Sequence, residues 1–340
     1  MIISKTPFRL SFFGGGTDYP TWFENHGGAV LSTTINKFCY LSVRHLPPFF
    51  EHRHRVVYSN IELVNDVSEI EHPVVRAVMD LKKVKDGIEV HHFADLPARS
   101  GLGSSSTFTV GLLNAINALK GKMTPRETLA KEAVLVEHDL LKENVGWQDQ
   151  ISAAFGGLNR IDFSADGNFS VTPVILPRSR IDELDDSVML FFTGVSRYAT
   201  NIAKETIDNM KARESQLHRI REMVDEAYSI LSKKKWTIED FGRLLDESWK
   251  LKRSLASNVT SDFIDDIYAA AMDAGAVGGK LMGAGGGGFM FFIVPQDRQN
   301  AVRQRLEKIL HVAFGFDKSG TEIMVYLPNN GDGDQNDRTA

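Results

Sequence analysis

The feature that most constrains this chain is a glycine- and serine-rich segment, Leu96–Thr107, which reads Leu-Pro-Ala-Arg-Ser-Gly-Leu-Gly-Ser-Ser-Ser-Thr. The alternating residues of Ile88–Phe93 predict a strand before it, and apolar residues every three or four positions predict a helix over Ser104–Leu119 after it. Gly101 and Gly103 allow the backbone to turn sharply and to approach a ligand closely. Because the first N–H groups of a helix are free and lie at the positive end of its dipole, the segment predicts an anion site.

This anion site has neither of the two common nucleotide-binding patterns. The segment does not end in the Gly-Lys-Ser/Thr of a Walker A loop, and its glycines are too close together for a dinucleotide-binding fingerprint. The simpler interpretation is a serine-capped helix after a loop, since serine is favoured at that position. The segment alone leaves both interpretations open.

The composition of the chain limits the class of protein. Its 340 residues suffice for about two domains, and its 42% hydrophobic and 24% charged residues are typical of a globular protein. A formal net charge of −5 argues against a nucleic-acid partner, and no apolar run approaches the length of a membrane span. Cys39 is the single cysteine and cannot form an intrachain disulfide, which favours a cytoplasmic protein. The polar tail 329–340 is expected to be disordered.

Periodicity predicts helices and strands in two halves, with the boundary in the proline-containing stretch Pro173–Asp186. A capping box, with Thr124 as the N-cap, Pro125 as the first helical residue and Glu127 as the third, predicts the start of a helix over Leu129–Leu141. The second half indicates an α+β arrangement in layers. The other expected strands are Ile2–Phe13, Gly28–Arg44 (one or two strands with a break near Asn36), Leu158–Phe163, Phe169–Val174, Val188–Phe192, Phe289–Val294 and Thr321–Leu327, and the other expected helices are His72–Leu81, Thr200–Leu231, Thr237–Leu255, Ser261–Ala274 and Arg298–Leu310.

Two further glycine-rich turns follow or precede predicted strands. Phe13–Pro20 reads Phe-Gly-Gly-Gly-Thr-Asp-Tyr-Pro, with Arg9 before the glycines and Asp18 after them, and Ala276–Gly288 leads into a strand. Each glycine costs conformational entropy on folding, so dense clusters indicate close backbone contacts. The first turn alone also fits a glycine-rich bulge with surface charges. Together with the central segment, the turns predict one crevice lined by backbone.

Two polar clusters outside the glycine segments have competing interpretations. Trp147–Gln150 places Asp149 at a helix start, either as an acid that favours the helix dipole or as a buried catalytic acid. The spacing of His45, His52 and His54 fits no common zinc pattern and no cysteine accompanies them, so a solvated hairpin tip is expected there.

Taken together, the three glycine segments resemble the three motifs of the GHMP kinases. They correspond to Thr6–Tyr19, Leu96–Ser106 and Lys280–Gly288, in the family's order and at similar separations. The resemblance implies a two-domain α+β fold, with an N-terminal ribosomal-protein-like βαβ domain over residues 1–178 and a C-terminal ferredoxin-like α+β domain over residues 179–328. It also implies an ATP-dependent kinase that uses Mg²⁺.

The resemblance also assigns roles to matching residues. Asp149 corresponds to a carboxylate that takes the proton from the attacking hydroxyl, and Arg9 corresponds to a cation that stabilises the transferred phosphoryl group. Ser105 and Glu137 correspond to ligands of Mg²⁺, which prefers oxygen donors. Asp18 corresponds to a residue that binds sugar hydroxyls. The expected nucleotide-binding residues are Pro97, Ser100, Gly101, Leu102, Gly103, Ser104, Ser105 and Ser106, and the other expected substrate-binding residues are Gly14, Gly15, Gly16, Thr17, Gly283, Ala284, Gly285 and Gly286.

Within the family, the Gly-Gly-Gly-Thr-Asp form of the first motif and Trp147–Gln150 resemble the branch that phosphorylates heptose 7-phosphates. The implied reaction transfers the ATP γ-phosphoryl group to the C1 hydroxyl of a small-molecule sugar phosphate, for nucleotide-heptose synthesis. A 1-kinase of an unphosphorylated sugar such as fucose and a kinase-derived sugar-binding regulator are the alternatives, and a homodimer is left open. The candidate partners of the 7-phosphate are Arg44, Arg197, Lys250, Arg253 and Lys280.

Overall fold

The structure, a computed structural model, describes residues 1–194, 199–233, 235 and 237–328. These ranges form two sheets with helices packed against them, and no helix within them has the length and apolarity that crossing a membrane requires. The strands are β1 (Ile2–Phe13), β2 (Gly28–His45), β3 (His54–Val57), β4 (Ile61–Val64), β5 (Ile88–Ala94), β6 (Asn159–Phe163), β7 (Phe169–Pro173), β8 (Val188–Phe192), β9 (Gly278–Leu281), β10 (Phe289–Ile293), β11 (Leu310–Val312), β12 (Phe316–Asp317) and β13 (Glu322–Tyr326). The α-helices are α1 (Pro20–His26), α2 (Pro73–Leu81), α3 (Ser104–Leu119), α4 (Arg126–Val134), α5 (Gln148–Phe155), α6 (Arg178–Ser187), α7 (Ala199–Asn209), α8 (Glu214–Ser232), α9 (Ile238–Arg253), α10 (Asp262–Asp273) and α11 (Gln299–Arg305).

The larger sheet is organised around β2, a single strand of 18 residues. β1 runs antiparallel to it, while β5 and β6 pair with its two halves. The path of the sheet is β13-β1-β2-β5-β3-β4, with β6 and β12 also paired to β2 and β7 paired to β6. The break expected near Asn36 is an irregularity of register, because the pairing of β1 with β2 shifts between Pro7 and Arg9.

The smaller sheet has the order β11-β8-β10-β9, and its pairs are antiparallel. The last two strands of the chain do not join it. β12 pairs with β2, and β13 pairs with β1 so that Tyr326 lies opposite Ile2. β13 thereby covers the outer edge of β1, which would otherwise present unpaired backbone groups. Residues 316–326 therefore belong to the larger sheet, although the expected second domain, 179–328, includes them; the division after residue 178 stays a prediction.

The capping box predicted at Thr124 is wrong. Pro125 occupies the N-cap position with φ −59° and ψ 148°, so α4 begins at Arg126. The Thr124 hydroxyl caps no N–H group and is buried without a hydrogen-bond partner among the described residues. The extended ψ of Pro125 places the first helical turn one residue later than the sequence pattern indicates.

Two helices predicted in the second half are also shorter than expected. A 3₁₀ turn, Met210–Arg213, separates α7 from α8, so the expected helix Thr200–Leu231 is two helices. The expected helix Arg298–Leu310 ends as α11 at Arg305, because Leu310 begins a strand that pairs with β8. Pairing with a distant strand is not encoded in the local pattern of residues.

The predicted hairpin tip with three histidines is only partly solvated. His54 lies in β3 and is buried, and its Nδ1 atom accepts a hydrogen bond from the Ile88 N–H group. Burial lowers the pKa of His54. This histidine is therefore a buried residue of β3, which pairs with β4 on one side and β5 on the other.

Aromatic side chains join the two sheets. The ring of Phe12 in β1 lies 5.4 Å from Phe241 in α9 and 5.8 Å from Phe291 in β10, measured between ring centroids. Phe13 contacts the same Phe241 ring at 5.1 Å, edge to face. All four side chains are fully buried. This cluster fixes α9 and the smaller sheet against β1, and these elements line the cavity described below.

We expect Phe241→Ala to lower the free energy of unfolding by about 3–5 kcal/mol, since it removes a buried ring from the contact between the sheets. Phe263→Ala is the matched control, because Phe263 is 46% exposed on α10 and its loss should change stability by about 0.5 kcal/mol. Chemical denaturation of both variants measures the difference. Equal losses in the two would contradict the role of Phe241.

Candidate active site

A cavity of about 1210 Å³ lies where the three glycine segments meet. Its wall includes Gly15 and Gly16 of the first segment, Gly101 and Gly103 of the second, and Gly283 of the third. The structure thus brings together the segments that the sequence predicts to form one crevice. The volume is large enough for a ligand of nucleotide size and a second small molecule.

The second and third glycine segments touch through their backbones. A Cβ atom at Gly101 would lie 2.6 Å from the Met282 carbonyl oxygen, and one at Gly283 would lie 2.6 Å from the Gly101 Cα atom. A Cβ atom at Gly288 would lie 2.3 Å from the Ser100 carbonyl oxygen. A residue with a Cβ atom could not approach the neighbouring backbone this closely, so the packing of the two segments requires glycine at these positions.

Most of the predicted site residues form part of the cavity wall. Their roles stay predictions, but their placement is consistent with a common site. The predicted residues in the wall are Arg9, Gly15, Gly16, Asp18, Gly101, Gly103, Ser104, Ser105, Ser106, Asp149, Gly283, Ala284 and Gly285. The predicted residues that lie outside the wall are Gly14, Thr17, Pro97, Ser100, Leu102, Glu137 and Gly286.

Several of the residues outside the wall support the turns instead. The Thr17 hydroxyl donates to the Gly14 carbonyl at 2.8 Å and accepts from the Ala29 N–H group at 3.2 Å, which holds the first turn against β2. The Gly286 N–H group donates to the Val259 carbonyl at 2.9 Å and anchors the third turn. These contacts shape the turns without presenting the residues to a ligand.

Arg9 and Asp149 form a bidentate ion pair in the cavity wall. The Nε and Nη2 atoms of Arg9 donate to the two carboxylate oxygens of Asp149 at 2.7 and 2.8 Å, and Nη1 donates to the Gly101 carbonyl at 2.7 Å. The Arg9 side chain is 4% exposed and the Asp149 side chain 24%. Arg9 is therefore fixed between α5 and the glycine- and serine-rich segment Leu96–Thr107, hereafter the phosphate loop, while the carboxylate stays open to the cavity.

Asp18 is buried beside this pair, and its carboxylate is held by backbone donors. The N–H groups of Gly16 and Gln148 donate to it at 2.9 and 3.3 Å. Burial raises the pKa of Asp18, and the nearby charge of Asp149 raises it further. A Cβ atom at Gly146 would lie 2.0 Å from one Asp18 oxygen, so the absence of a side chain there makes room for the carboxylate. Sequence reasoning missed Gly146, because its neighbour lies far away in the chain.

Glu137 lies behind the wall, within a π-helical segment, Leu135–Leu140, that continues α4. π-helical turns widen a helix locally and are frequent at functional sites. The predicted helix Leu129–Leu141 is therefore α-helical only in its first part. The wider turn carries the Glu137 carboxylate toward the start of α3.

The Glu137 carboxylate is fully buried and bound by neutral donors. The hydroxyls of Ser106 and Thr109 donate to its two oxygens at 2.7 Å each, and the Gln150 side-chain amide also donates to it. Burial raises the pKa of Glu137 to about 7. Ser105, which the resemblance assigns to Mg²⁺ together with Glu137, has an exposed side chain that lines the cavity, while the neighbouring Ser106 is the serine that contacts Glu137. The Glu137 carboxylate and the Ser105 hydroxyl both offer oxygen atoms, which are the ligands that Mg²⁺ prefers.

Two buried lysines reach the same cavity. The Lys252 ammonium group donates to the carbonyls of Leu281 and Gly283, the first at 2.8 Å, and the Lys280 ammonium group donates to the Phe12 carbonyl at 3.0 Å. Burial lowers the pKa of Lys252 to about 7 and that of Lys280 well below its usual range, and the charge of Arg9 acts in the same direction on both. An anionic ligand in the cavity would therefore favour the protonated, cationic form of both lysines.

Sequence reasoning missed Lys252, although a signal was present. Lys252 continues the apolar stripe of α9 that includes Phe241, Leu245 and Trp249, and a lysine on such a stripe is directed at the protein rather than at solvent. Glu143, which lines the cavity and has a pKa raised by burial, was missed as well. It lies in a loop without a recognisable pattern.

Three of the candidate partners of the 7-phosphate lie outside the cavity wall and are paired with acids. Arg44 pairs with Glu89, Lys250 pairs with Asp246 at 2.7 Å, and Arg253 pairs with Asp265 at 2.6 Å. Their positions outside the wall argue against all three as partners of a phosphate group bound in the cavity. The fourth, Arg197, lies outside the described residues, and the fifth, Lys280, lines the cavity.

The glycine- and serine-rich segment leads into the start of α3 beside the pair of Arg9 and Asp149. Residues 71–157 match the GHMP kinases N terminal domain and residues 234–311 match the GHMP kinases C terminal domain. The chain is 31% identical over 341 residues to the D-glycero-alpha-D-manno-heptose 7-phosphate kinase of Campylobacter jejuni, which covers 94% of this chain and 98% of that protein. The chain belongs to the GHMP kinase family, whose members are ATP-dependent kinases; the predicted family and fold class are confirmed.

Other relatives agree with this assignment. A crystal structure of a D-glycero-D-manno-heptose 1-phosphate kinase from Bacteroides thetaiotaomicron superposes with a TM-score of 0.78 at 25% identity, over 96% of this chain and 99% of that chain. The L-fucokinase/L-fucose-1-P guanylyltransferase of Bacteroides fragilis is 27% identical over 90% of this chain, but over only 36% of its own length. The similarity to this relative is therefore limited to one part of a longer protein.

We expect Gly146→Ala to lower the kcat/KM of ATP-dependent phosphorylation at least about tenfold, because the added methyl group displaces the Asp18 carboxylate from the cavity wall. Gly315→Ala is the matched control, since its added Cβ atom would lie 3.4 Å or more from its neighbours. Steady-state kinetics and thermal unfolding of both variants separate a local effect from misfolding. A Gly146→Ala enzyme with normal kinetics would show that the placement of Asp18 is unimportant for turnover.

Proposed function

We propose that this protein is an ATP-dependent kinase that phosphorylates the C1 hydroxyl of D-glycero-D-manno-heptose 7-phosphate, giving the 1,7-bisphosphate. The proposal is carried by the contact between the phosphate loop and the ion pair: a Cβ atom at Gly103 would lie 3.4 Å from both the Arg9 side chain and the Asp149 carboxylate. A phosphoryl group bound at the start of α3 would thus adjoin a hydroxyl bound by Asp149. The similarity to the heptose 7-phosphate kinase of Campylobacter jejuni supports the choice of sugar.

In the proposed reaction the sugar hydroxyl oxygen attacks the γ-phosphorus atom, its proton passes to Asp149, and ADP leaves. Arg9 occupies two acceptor positions of the carboxylate, and about two others stay open to a hydroxyl. Arg9 also stabilises negative charge on the transferred group. An anomeric hydroxyl is more acidic than an ordinary alcohol, so a carboxylate is an adequate base. Positioning and charge stabilisation then supply most of the catalysis, as in other phosphoryl transfers.

Mg²⁺ would be held by Ser105 and Glu137, with Ser106 and Thr109 orienting the Glu137 carboxylate. When bound with ATP, the ion neutralises part of the charge on the phosphate oxygens. Glu137 has only neutral donors around it here, which is consistent with a carboxylate whose charge is balanced by a cation in the working enzyme.

We expect Asp149→Asn to reduce kcat at least about 10²-fold while the affinity for ATP stays nearly unchanged, because the amide cannot accept the proton. Asp162→Asn is the matched control: Asp162 also pairs with an arginine, Arg160 at 2.8 Å, but lies away from the cavity wall. Steady-state turnover and nucleotide titration measure the two effects. Near-normal turnover in Asp149→Asn would exclude Asp149 as the base.

The two buried lysines, Lys252 and Lys280, are the proposed partners of the 7-phosphate group of the sugar. Burying ammonium groups is costly unless a negative charge accompanies them. Burial and the charge of Arg9 lower the pKa of both lysines, the charge of Lys252 lowers that of Lys280 further, and Asp18 opposes these effects only in part. A sugar phosphate bound in the cavity would supply that negative charge. An unphosphorylated sugar such as fucose would not.

We expect Lys252→Met to raise KM for heptose 7-phosphate at least about tenfold and to leave the KM for unphosphorylated heptose and for fucose unchanged. In the wild-type enzyme, kcat/KM for the phosphorylated sugar should fall as the pH rises through about 7, because Lys252 then loses its charge, and Lys252→Arg should remove this dependence. ADP release with each sugar measures both effects.

Lys250→Met is the matched control, since Lys250 lies on the same helix but pairs with Asp246 at the surface. A wild-type preference for fucose would replace the proposed substrate by the alternative of a neutral-sugar kinase. An equal fall in kcat with all sugars in Lys252→Met would assign this lysine to the transferred phosphoryl group instead. Absence of turnover with every sugar would favour the sugar-binding regulator.

A further inference from the structure

A second cluster of potential ligands lies apart from the kinase site, between α1 and α8. His26 in the last turn of α1 and Glu214 and His218 at the start of α8 place their ligand atoms within 4.8 Å of one another. Glu214 and His218 are four residues apart and share one face of α8. The Nε2 atom of His218 lies 3.6 Å from a Glu214 oxygen.

The chemistry of this cluster is that of a zinc site with open positions. Two imidazole nitrogens and one carboxylate oxygen are typical zinc ligands, at about 2.0–2.2 Å from the metal, and a fourth position is then left for water. Ligand atoms around a tetrahedral ion at these distances are about 3.3 Å apart, so small side-chain rotations suffice. All three residues are exposed, and an ion can enter without opening the fold.

The histidine rings are already partly fixed. His26 stacks on Trp22 with ring centroids 4.2 Å apart, and His218 packs against both rings at 5.0 and 5.1 Å. Trp22 is buried. A fixed ring loses less rotamer freedom when it binds an ion, so part of the ordering cost of a metal site is already met by packing.

We propose that His26, Glu214 and His218 bind one divalent transition-metal ion of the zinc type, which joins α1 to α8. α1 follows directly after the turn that carries Asp18, and α8 contributes Ile220 to the cavity wall. Leu217 on α8 also lies close to Gly16, with 3.3 Å between its side chain and a Cβ atom built there. The ion therefore links the substrate side of the cavity to the helical layer.

The test is calorimetric titration of the tag-free protein with Zn²⁺, together with thermal unfolding with and without Zn²⁺. We expect one ion per chain and a higher Tm with Zn²⁺, and we expect affinity at least about tenfold weaker in His218→Ala and in Glu214→Gln. His138→Ala is the matched control, because His138 is an exposed histidine beside an acid, Asp139, elsewhere on the surface. It should bind Zn²⁺ as the wild type does.

Fluorescence supplies an independent readout that does not depend on heat of binding. Cu²⁺ held by His26 and His218 would quench the stacked Trp22, and Trp22→Phe should remove that quenching. Glu214→Gln leaves the ring contacts among Trp22, His26 and His218 unchanged, and so it tests the site even if a histidine variant unfolds. Equal Zn²⁺ affinity in the wild type and Glu214→Gln, or the same loss in His138→Ala, would overturn the proposal.

Discussion

The active-site cavity depends on a backbone-to-backbone contact between two glycine turns that are about 180 residues apart in the chain. Gly101 and Gly283 pack against each other so closely that neither position has room for a Cβ atom. This contact fixes the phosphate loop, and hence the start of α3, against the turn that precedes β10. The aromatic cluster of Phe12, Phe241 and Phe291 adds to this contact, because it packs β1 of the larger sheet against α9 and β10 of the smaller sheet.

The buried charged groups around this contact differ in what binds them. Arg9 and Asp149 satisfy each other, and the Arg9 guanidinium also binds the phosphate loop. Asp18 is held by backbone N–H groups, which support a carboxylate without cancelling its charge. Within the described residues, the hydrogen bonds of the Lys252 and Lys280 ammonium groups go to backbone carbonyls and neither lysine forms a salt bridge, so an anionic ligand could pair with them. The ion pairs of Arg253 with Asp265 and of Lys250 with Asp246 lie outside the cavity.

Local patterns in the sequence predicted the bounds of an element correctly where those bounds depend only on the residues of the element itself. The strand Ile2–Phe13 and the helix Ser104–Leu119 have the predicted bounds, because alternation and a 3.6-residue period act within each segment. The errors arose where distant contacts decide the outcome. Leu310 joins a strand through pairing with β8, and β13 joins the larger sheet through pairing with β1. Pro125, whose own ψ is extended, moved a helix start by one residue.

The sequence by itself determined the family, the three glycine turns and the residue types of the site, since each motif is a continuous run whose chemistry can be read locally. Only the tertiary structure decided which of these residues face a common cavity. It placed Ser106 rather than Ser105 against Glu137, gave Asp18 its room beside Gly146, and directed Lys252 into the site while Lys250 stayed at the surface. The physical reason is that side-chain contacts depend on the packing of segments that are remote in the chain, and local spacing does not specify that packing.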